Sequence, residues 1–170
     1  IKWISFFDSD CMIDLKNLTK IKKYLQNVNF NIVFVNLISP KGNKIGNKLI
    51  NLPLFNFINI YRAGTPSVII KKTFITKLFD TKFGIGTSYF SAEDTKFLID
   101  NFTFNLSVIK NTFIFHPEQK KDIIKISNYS YGQKQLIRKT KFMHSIIFFI
   151  IIITRPILGL LVSSIKLDIY

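Results

Sequence analysis

The feature that most constrains this chain is a short apolar run, residues 2–7, that ends in a pair of aspartates. The run is rich in strand-forming residues and therefore predicts a β-strand. Asp8 and Asp10 follow at once, so we expect both carboxylates at the carboxyl end of that strand. Open α/β sheets bind their ligands at this edge. The run therefore predicts an acidic ligand site on an α/β fold.

A helix and further strands are predicted after this run. Residues 14–26 place apolar side chains at three- and four-residue steps and lysines on the other face, which is typical of an amphipathic helix. Residues 30–38 have the composition of a buried strand. The same patterns predict a short helix at residues 72–78, strands at residues 106–109 and 112–115, and a helix near residues 131–142.

A glycine-bearing aromatic loop, residues 83–91, precedes another predicted helix. Ser91 lies three residues before Asp94, which is the spacing at which a serine side chain caps a helix. We therefore predict a helix that Ser91 caps and that runs to about Phe102.

Length and composition set broad limits on the chain. A length of 170 residues argues for a single domain, and a net charge of +14 favours contact with phosphates. Cys11 is the only cysteine, so an intrachain disulfide is excluded and nothing indicates a cysteine-based metal site. The chain enters an apolar run at Ile1 without the pattern of a signal peptide, and we expect a further N-terminal portion before it.

The most apolar window, residues 146–165, is about as long as a bilayer core requires. Arg155 and Pro156 interrupt it, so a spanning helix and a bent interfacial hairpin both remain open. Basic residues at 134–141 precede the window, and such residues usually stay on the cytoplasmic side. We therefore expect a membrane-associated chain that faces the cytoplasm.

Three polar residues are candidates for a metal site. Asp8 and Asp10 can aim two oxygen ligands at one divalent cation, an arrangement that suits magnesium or manganese. The alternative is a solvated turn before a helix. His116 follows the last predicted strand and can complete the metal site or contact a phosphate, although a lone histidine is more often structural.

Glu93 and Asp94 are candidates for acid–base chemistry. They open a predicted helix after the glycine-bearing loop, where a carboxylate can act as general base on an incoming hydroxyl. The alternative is that they only stabilise the first helical turn. Arg138 and its neighbours offer cations to a diphosphate, although a basic face beside the membrane is the simpler interpretation.

Four runs of sequence, taken in order, resemble the family 2 glycosyltransferases of bacterial surface-polysaccharide type. They are IKWISFFDSDC, YRAGTPSVIIKKTFI, FDTKFGIGTSYFSAEDTKFL and FHPEQ. The resemblance implies the C-terminal half of a GT-A fold, in which a mixed sheet is flanked by helices. It also implies an inverting enzyme that moves a sugar from a nucleotide-diphosphate sugar to a glycan or lipid-linked acceptor.

The resemblance also implies roles for single residues. Asp8 and Asp10 match the Asp-x-Asp motif that holds Mn²⁺ or Mg²⁺ against the donor diphosphate, and His116 stands where several such enzymes have a further metal ligand. Asp94 matches the catalytic base and Glu93 its neighbour in the acidic pair. The remaining substrate contacts fall on Asp8 and on three residues outside the metal site: Gly64, Gly86 and Arg138.

The chain departs from the family pattern in one large feature: the nucleotide-binding half that precedes the Asp-x-Asp strand is absent from these 170 residues. We therefore expect little transferase activity from these residues alone. Three parts are predicted: residues 1–119 as the acceptor-side part of the catalytic domain, residues 120–144 as a basic juxtamembrane connector, and residues 145–170 as a membrane-associated tail. A non-catalytic basic membrane-associated protein, or an inactive fragment, is the alternative. Dispersed lysines without a known binding motif argue against a nucleic-acid partner.

Overall fold

The structure is a computed structural model that describes residues 2–46, 49–50, 53–118 and 123–139. These residues form five strands and three α-helices. In chain order they are β1 (Trp3–Ser5), α1 (Leu15–Asn27), β2 (Ile32–Ile38), β3 (Lys44–Ile45), β4 (Val68–Lys71), α2 (Glu93–Asp100), β5 (Leu106–Phe115) and α3 (Ile123–Lys139). Three 3₁₀ segments, Pro53–Tyr61, Thr65–Ser67 and Lys72–Phe74, flank β4.

The strands form one mixed sheet around β2. On one side β2 pairs with β5 in parallel along its length. On the other side it pairs antiparallel with β4 through its first half and with β3 at its end. β1 pairs antiparallel with β4. The mixed α/β sheet with flanking helices is the fold class that the sequence predicts.

Alternation along β2 divides the core into two layers. Ile32 and Phe34 pack in the cluster that contains α2, whereas Val33 and Val35 pack with Ile21 of α1 on the opposite face. This follows because successive strand side chains point to opposite faces of a sheet. The four side chains are fully buried, as expected of a central strand covered on both faces.

Some local predictions are confirmed and others are wrong. The helix predicted at residues 14–26 is α1, whose N-cap Asp14 accepts a hydrogen bond from the backbone N–H of Asn17. The two strands predicted at residues 106–109 and 112–115 are one strand. The strand is irregular at Asn111, which takes a left-handed conformation (φ 52°), and pairing with β2 continues past it with a shifted register. The helix predicted at residues 72–78 is only the 3₁₀ turn Lys72–Phe74.

The third helix lies within the segment predicted as a connector, and it packs onto the core. Leu136 is buried against the cluster that contains α2, and Ile137 contacts the same cluster. No helix of the described residues is long and apolar enough to span a bilayer. The apolar window at residues 146–165 lies outside the described residues, so the membrane tail and the three predicted parts stay predictions.

Candidate active site

The turn that carries Asp8 and Asp10 is held against the end of β5. The backbone N–H of Cys11 donates to the carbonyl of Asp8 at 3.0 Å, which closes the turn. Met12 then forms an antiparallel bridge with Phe115, with N–H to carbonyl distances of 2.9 and 2.8 Å in the two directions. The aspartates that follow β1 therefore lie beside the residue that follows β5, which is His116.

His116 is oriented by two contacts within the fold. Its backbone N–H donates to the carbonyl of Ile38 at 2.9 Å, and its side chain is only 6% exposed. Nδ1 lies 2.7 Å from the carbonyl oxygen of Pro117, and because a carbonyl only accepts, Nδ1 carries the proton. In the neutral ring Nε2 therefore presents a lone pair, and it lies 3.6 Å from Asp8 Oδ2 and 3.8 Å from Asp10 Oδ1.

The four side chains at this point fit a divalent cation. Ligand atoms of Asp8, Asp10, Cys11 and His116 all lie within 4.8 Å of one another. Carboxylate oxygens and a neutral imidazole suit Mn²⁺, and the carboxylates alone suit Mg²⁺. The distances from Nε2 to the carboxylates exceed those of hydrogen bonds, so an ion between these groups would replace weak contacts. Burial raises the pKa of the Cys11 thiol, with the charges of Asp8 and Asp10 adding to the effect.

The second acidic pair lies at the start of α2. Asp94 accepts hydrogen bonds from the backbone N–H of Thr65 at 3.0 Å and from the Thr65 hydroxyl. Burial raises the pKa of Asp94 and outweighs these two bonds, which lower it. Burial likewise raises the pKa of Glu93, and the charges of Asp94 and Asp8 add to the effect. Both carboxylates are therefore stronger bases than exposed ones.

The backbone before α2 is strained. Phe90 and Ala92 both have positive φ, at 58° and 70°, and Ala92 is the N-cap of α2 without a side-chain cap. Each non-glycine residue in such a region costs on the order of 1–3 kcal/mol. The predicted cap by Ser91 is wrong, because the Ser91 hydroxyl points to the carbonyls of Asn128 and Tyr129 in α3, at 3.2 and 3.3 Å. The loop is thus held by α3 and not by its own helix.

Contact between α3 and this loop depends on Gly132. A Cβ atom at this position would lie 2.7 Å from the carbonyl oxygen of Tyr89 and 2.8 Å from that of Ser91, and closer still to the Ser91 hydroxyl. Backbone atoms cannot rotate away from such a contact as a side chain can. Gly132 therefore lets α3 approach the loop that leads to Glu93 and Asp94.

We expect Gly132→Ala to destabilise the fold and to weaken the docking of α3. Overpacking costs about 1–3 kcal/mol, which exceeds the roughly 0.5–1 kcal/mol that alanine gains over glycine within a helix. Urea denaturation followed by circular dichroism measures the change. Gln133→Ala, at an exposed position on the same helix, is the control and should change stability by less than about 0.5 kcal/mol. Equal stability of the two variants would show that α3 does not depend on this contact.

One cavity of ≈ 610 Å³ connects the two acidic sites. Its lining includes the predicted site residues Asp8, Gly64, Asp94 and His116. Four further residues at this site were not predicted from the sequence. Lys44, Glu118 and Tyr129 line the cavity, and Thr65 donates hydrogen bonds to Asp94. Lys44 is the only lysine or arginine in the described lining. An anionic ligand in this cavity therefore meets one cation and the candidate metal ligands.

A second, smaller cavity of ≈ 260 Å³ lies beside the first and shares Tyr129 with it. Its walls are mostly apolar and include Ile85, Phe90 and Ile124, and Gly86 belongs to this lining. Burial raises the pKa of Tyr129, and the charges of Glu93, Asp94 and Asp8 add to the effect.

The structure does not bring every predicted site residue together. Glu93 is absent from the described lining of both cavities, and its carboxyl group lies near Gly84, where a Cβ would contact it at 3.6 Å. Arg138 is exposed near the end of α3 and is absent from the described lining of both cavities. No local signal in the sequence marks Thr65 or Lys44, because their place at the site depends on how distant segments pack.

The chain is similar to solved structures, but it matches no protein family by sequence. No protein-family profile matches the chain, and no curated protein matches it. A crystal structure of residues 1–349 of S. aureus TarS superposes with a TM-score of 0.59 at 14% identity, covering 86% of this chain and 44% of that TarS structure. Crystal structures of the same protein in complex with UDP-GlcNAc and with UDP superpose with TM-scores of 0.59 and 0.54, also at 14% identity.

The chain spans less than half the length of these TarS structures, 44%, 46% and 45% of them. TarS is a glycosyltransferase. At 14% identity the likeness concerns the fold alone, and it does not show that the chain belongs to family 2. The chain therefore has a glycosyltransferase-like fold.

Proposed function

We propose that this chain is the acceptor-side part of an inverting, metal-dependent glycosyltransferase that uses a nucleotide-diphosphate sugar as donor. The observation that carries the proposal is the convergence of Asp8, His116 and Asp94 on one cavity. These residues come from the turn after β1, the end of β5 and the start of α2. A cation site and a candidate base on one cavity are the two parts that displacement of a diphosphate requires.

The donor side of the proposed reaction lies at Asp8, Asp10 and His116. Together these residues would hold Mn²⁺ or Mg²⁺, which when bound neutralises the departing diphosphate. Lys44 at the same cavity adds a positive charge within reach of the phosphates. The fold likeness to TarS crystallised with UDP-GlcNAc and with UDP supports a nucleotide-sugar donor.

Asp94 is the proposed base on the acceptor side. The acceptor hydroxyl gives its proton to Asp94, its oxygen bonds to the anomeric carbon, and the bond to the diphosphate breaks with its electron pair leaving on the diphosphate. Thr65 bonds fix the carboxylate in one orientation, and a fixed base lowers the barrier. Attack opposite the departing group inverts the anomeric carbon. Glu93 positions the acceptor.

The acceptor in this proposal is a glycan or a lipid-linked sugar. The apolar cavity beside Tyr129 supports either type, because aromatic faces stack on sugar rings and aliphatic walls accept a hydrocarbon chain. We also propose that the protein works at the cytoplasmic face of a membrane. The basic residues at 134–141 and the apolar window at 146–165 support that location.

The cation site is tested by nucleotide binding with Asp10→Ala. We expect Mn²⁺-dependent binding of UDP to the full natural chain, measured by calorimetry, to weaken by at least roughly 10–100-fold, since even loss of an outer-shell partner costs that much. The Asp10 side chain is half exposed, so the melting temperature should change little. Asp80→Ala, at a loop residue that is absent from the described lining of both cavities, is the matched control. Unchanged metal-dependent binding in Asp10→Ala would remove Asp10 from the site.

The raised pKa of Asp94 predicts a shifted pH profile for the reaction. A base works only when ionised, so kcat falls as the pH drops through its pKa. Because burial raises that pKa, we expect the acid limb of kcat to lie above the ordinary aspartate value of about 3.9. Mn²⁺-dependent UDP binding, measured over the same pH range, separates protonation of the metal ligands from protonation of the base. An acid limb that follows UDP binding alone would contradict the role of Asp94.

A further inference from the structure

We propose that Cys11 is a ligand of the cation site, so that the site also binds thiolate-preferring ions such as Zn²⁺ and Co²⁺. The inference deepens the proposed function, since it rests on the same metal site, but it does not require that sugar transfer occurs. It assigns the chain's single cysteine to metal binding, for which the sequence has no indication.

The bridge between Met12 and Phe115 brings Cys11 close to His116. Met12 and Phe115 exchange both backbone hydrogen bonds in an isolated antiparallel bridge. Cys11 precedes Met12 and His116 follows Phe115, so these two residues flank the bridge at the same end. The bridge therefore accounts for a Cys11 sulfur within 4.8 Å of the other three ligand atoms.

The His116 side chain independently points to a ligand at this place. The side chain is only 6% exposed, and its Nδ1 donates a hydrogen bond to the carbonyl oxygen of Pro117. Its Nε2 faces the aspartates and has no hydrogen bond among the described residues. A buried ring nitrogen with a lone pair directed at carboxylates is arranged as metal-bound histidines usually are, with the other nitrogen held by a carbonyl.

The donor set determines which ions it prefers. Two carboxylates, an imidazole and a thiolate combine hard, borderline and soft ligands, and Zn²⁺ and Co²⁺ accept all three. Mg²⁺ gains little from sulfur. When the sulfur–metal bond forms, the thiol proton leaves to the buffer. Zn²⁺ would then compete with Mn²⁺ for the site, and the activity of the enzyme would depend on which ion is bound. The simpler role for Cys11 is packing, since it also contacts the apolar cluster around Ile21.

The test is titration of the metal-free chain with Co²⁺, comparing the natural sequence with Cys11→Ser. Cys11 is the only cysteine of the 170 residues, and a sulfur-to-cobalt charge-transfer band in the near ultraviolet that disappears in Cys11→Ser comes from its thiolate. We expect this band in the natural chain, its loss in Cys11→Ser, and Co²⁺ affinity roughly 10–100-fold weaker in the variant. Identical spectra and affinities for the two chains would overturn the inference.

A second measurement needs no variant. Zn²⁺, but not Mg²⁺, should slow alkylation of Cys11 by iodoacetamide in the natural chain; equal rates with and without Zn²⁺ would overturn the inference.

Mn²⁺-dependent UDP binding separates this inference from the proposed function. If UDP binds with Mn²⁺ while Co²⁺ gives no thiolate band, Cys11 only packs and the proposed function stands. If neither Mn²⁺ nor Co²⁺ binds, the metal site itself is wrong and both proposals fail.

Discussion

Asp94→Asn is expected to lower the rate of sugar transfer by about 10²–10⁴-fold, the range that a positioned general base contributes. Asparagine keeps the shape of the side chain and one acceptor oxygen for Thr65, which bonds to Asp94 through both its N–H and its hydroxyl. The amide cannot take the proton of the acceptor hydroxyl. Initial rates at saturating donor and metal measure the loss, and Mn²⁺-dependent UDP binding should be unchanged.

Asp100→Asn is the matched control for this variant. Asp100 lies at the other end of α2, where it pairs with Lys96, so its replacement should leave the rate within a factor of two or so, as expected of a position outside a reacting site. Loss of transfer in Asp94→Asn together with loss of UDP binding would indicate a damaged site. Transfer at the natural rate in Asp94→Asn would remove Asp94 as the base.

Phe97→Ala is expected to lower the free energy of unfolding by about 3–5 kcal/mol, the usual cost of truncating a buried phenylalanine to alanine. Phe97 is 2% exposed. Its ring stacks on Phe79 with centroids 4.4 Å apart and meets the edge of Phe6 at 5.4 Å. Phe97 belongs to the helix that carries Asp94, and Phe6 belongs to the segment that leads to Asp8, so this aromatic cluster joins the two halves of the site.

Urea denaturation measures this change. Ile85→Ala is the control, because Ile85 is 85% exposed and its truncation should change stability by less than about 0.5 kcal/mol. Since the cluster supports both acidic sites, UDP binding by Phe97→Ala should also weaken under conditions where the variant is still folded. A loss of less than about 1 kcal/mol for Phe97→Ala would show that the cluster does not hold the two halves together.

The parts of the fold that follow from local pattern could be predicted from the sequence. The three- and four-residue spacing of apolar side chains predicted α1, and the buried run at residues 30–38 predicted β2. Local pattern failed where distant packing decides the conformation. Ser91 has the spacing of a helix cap, but the carbonyls of α3 compete for its hydroxyl. The sequence pattern predicted two strands, at residues 106–109 and 112–115, although β5 is continuous from Leu106 to Phe115 beside β2.

The candidate site could be predicted only in part for the same reason. Asp8, Asp10, Glu93 and Asp94 stand in short acidic motifs that are visible without a structure. The closeness of Cys11 to His116 depends on a bridge between residues about a hundred positions apart in sequence, Met12 and Phe115. Lys44 and Tyr129 meet these groups only because β3 and α3 border the same cavity.

Release of nucleoside diphosphate from a panel of sugar nucleotides tests the central claim most directly. The full natural chain would be assayed with Mn²⁺, with Mg²⁺ and with chelator, each in the presence and absence of candidate glycan and lipid-linked acceptors. We predict release that requires a divalent cation and increases with an acceptor. No release from any sugar nucleotide with either ion would contradict the claim and favour a non-catalytic, basic membrane-associated protein.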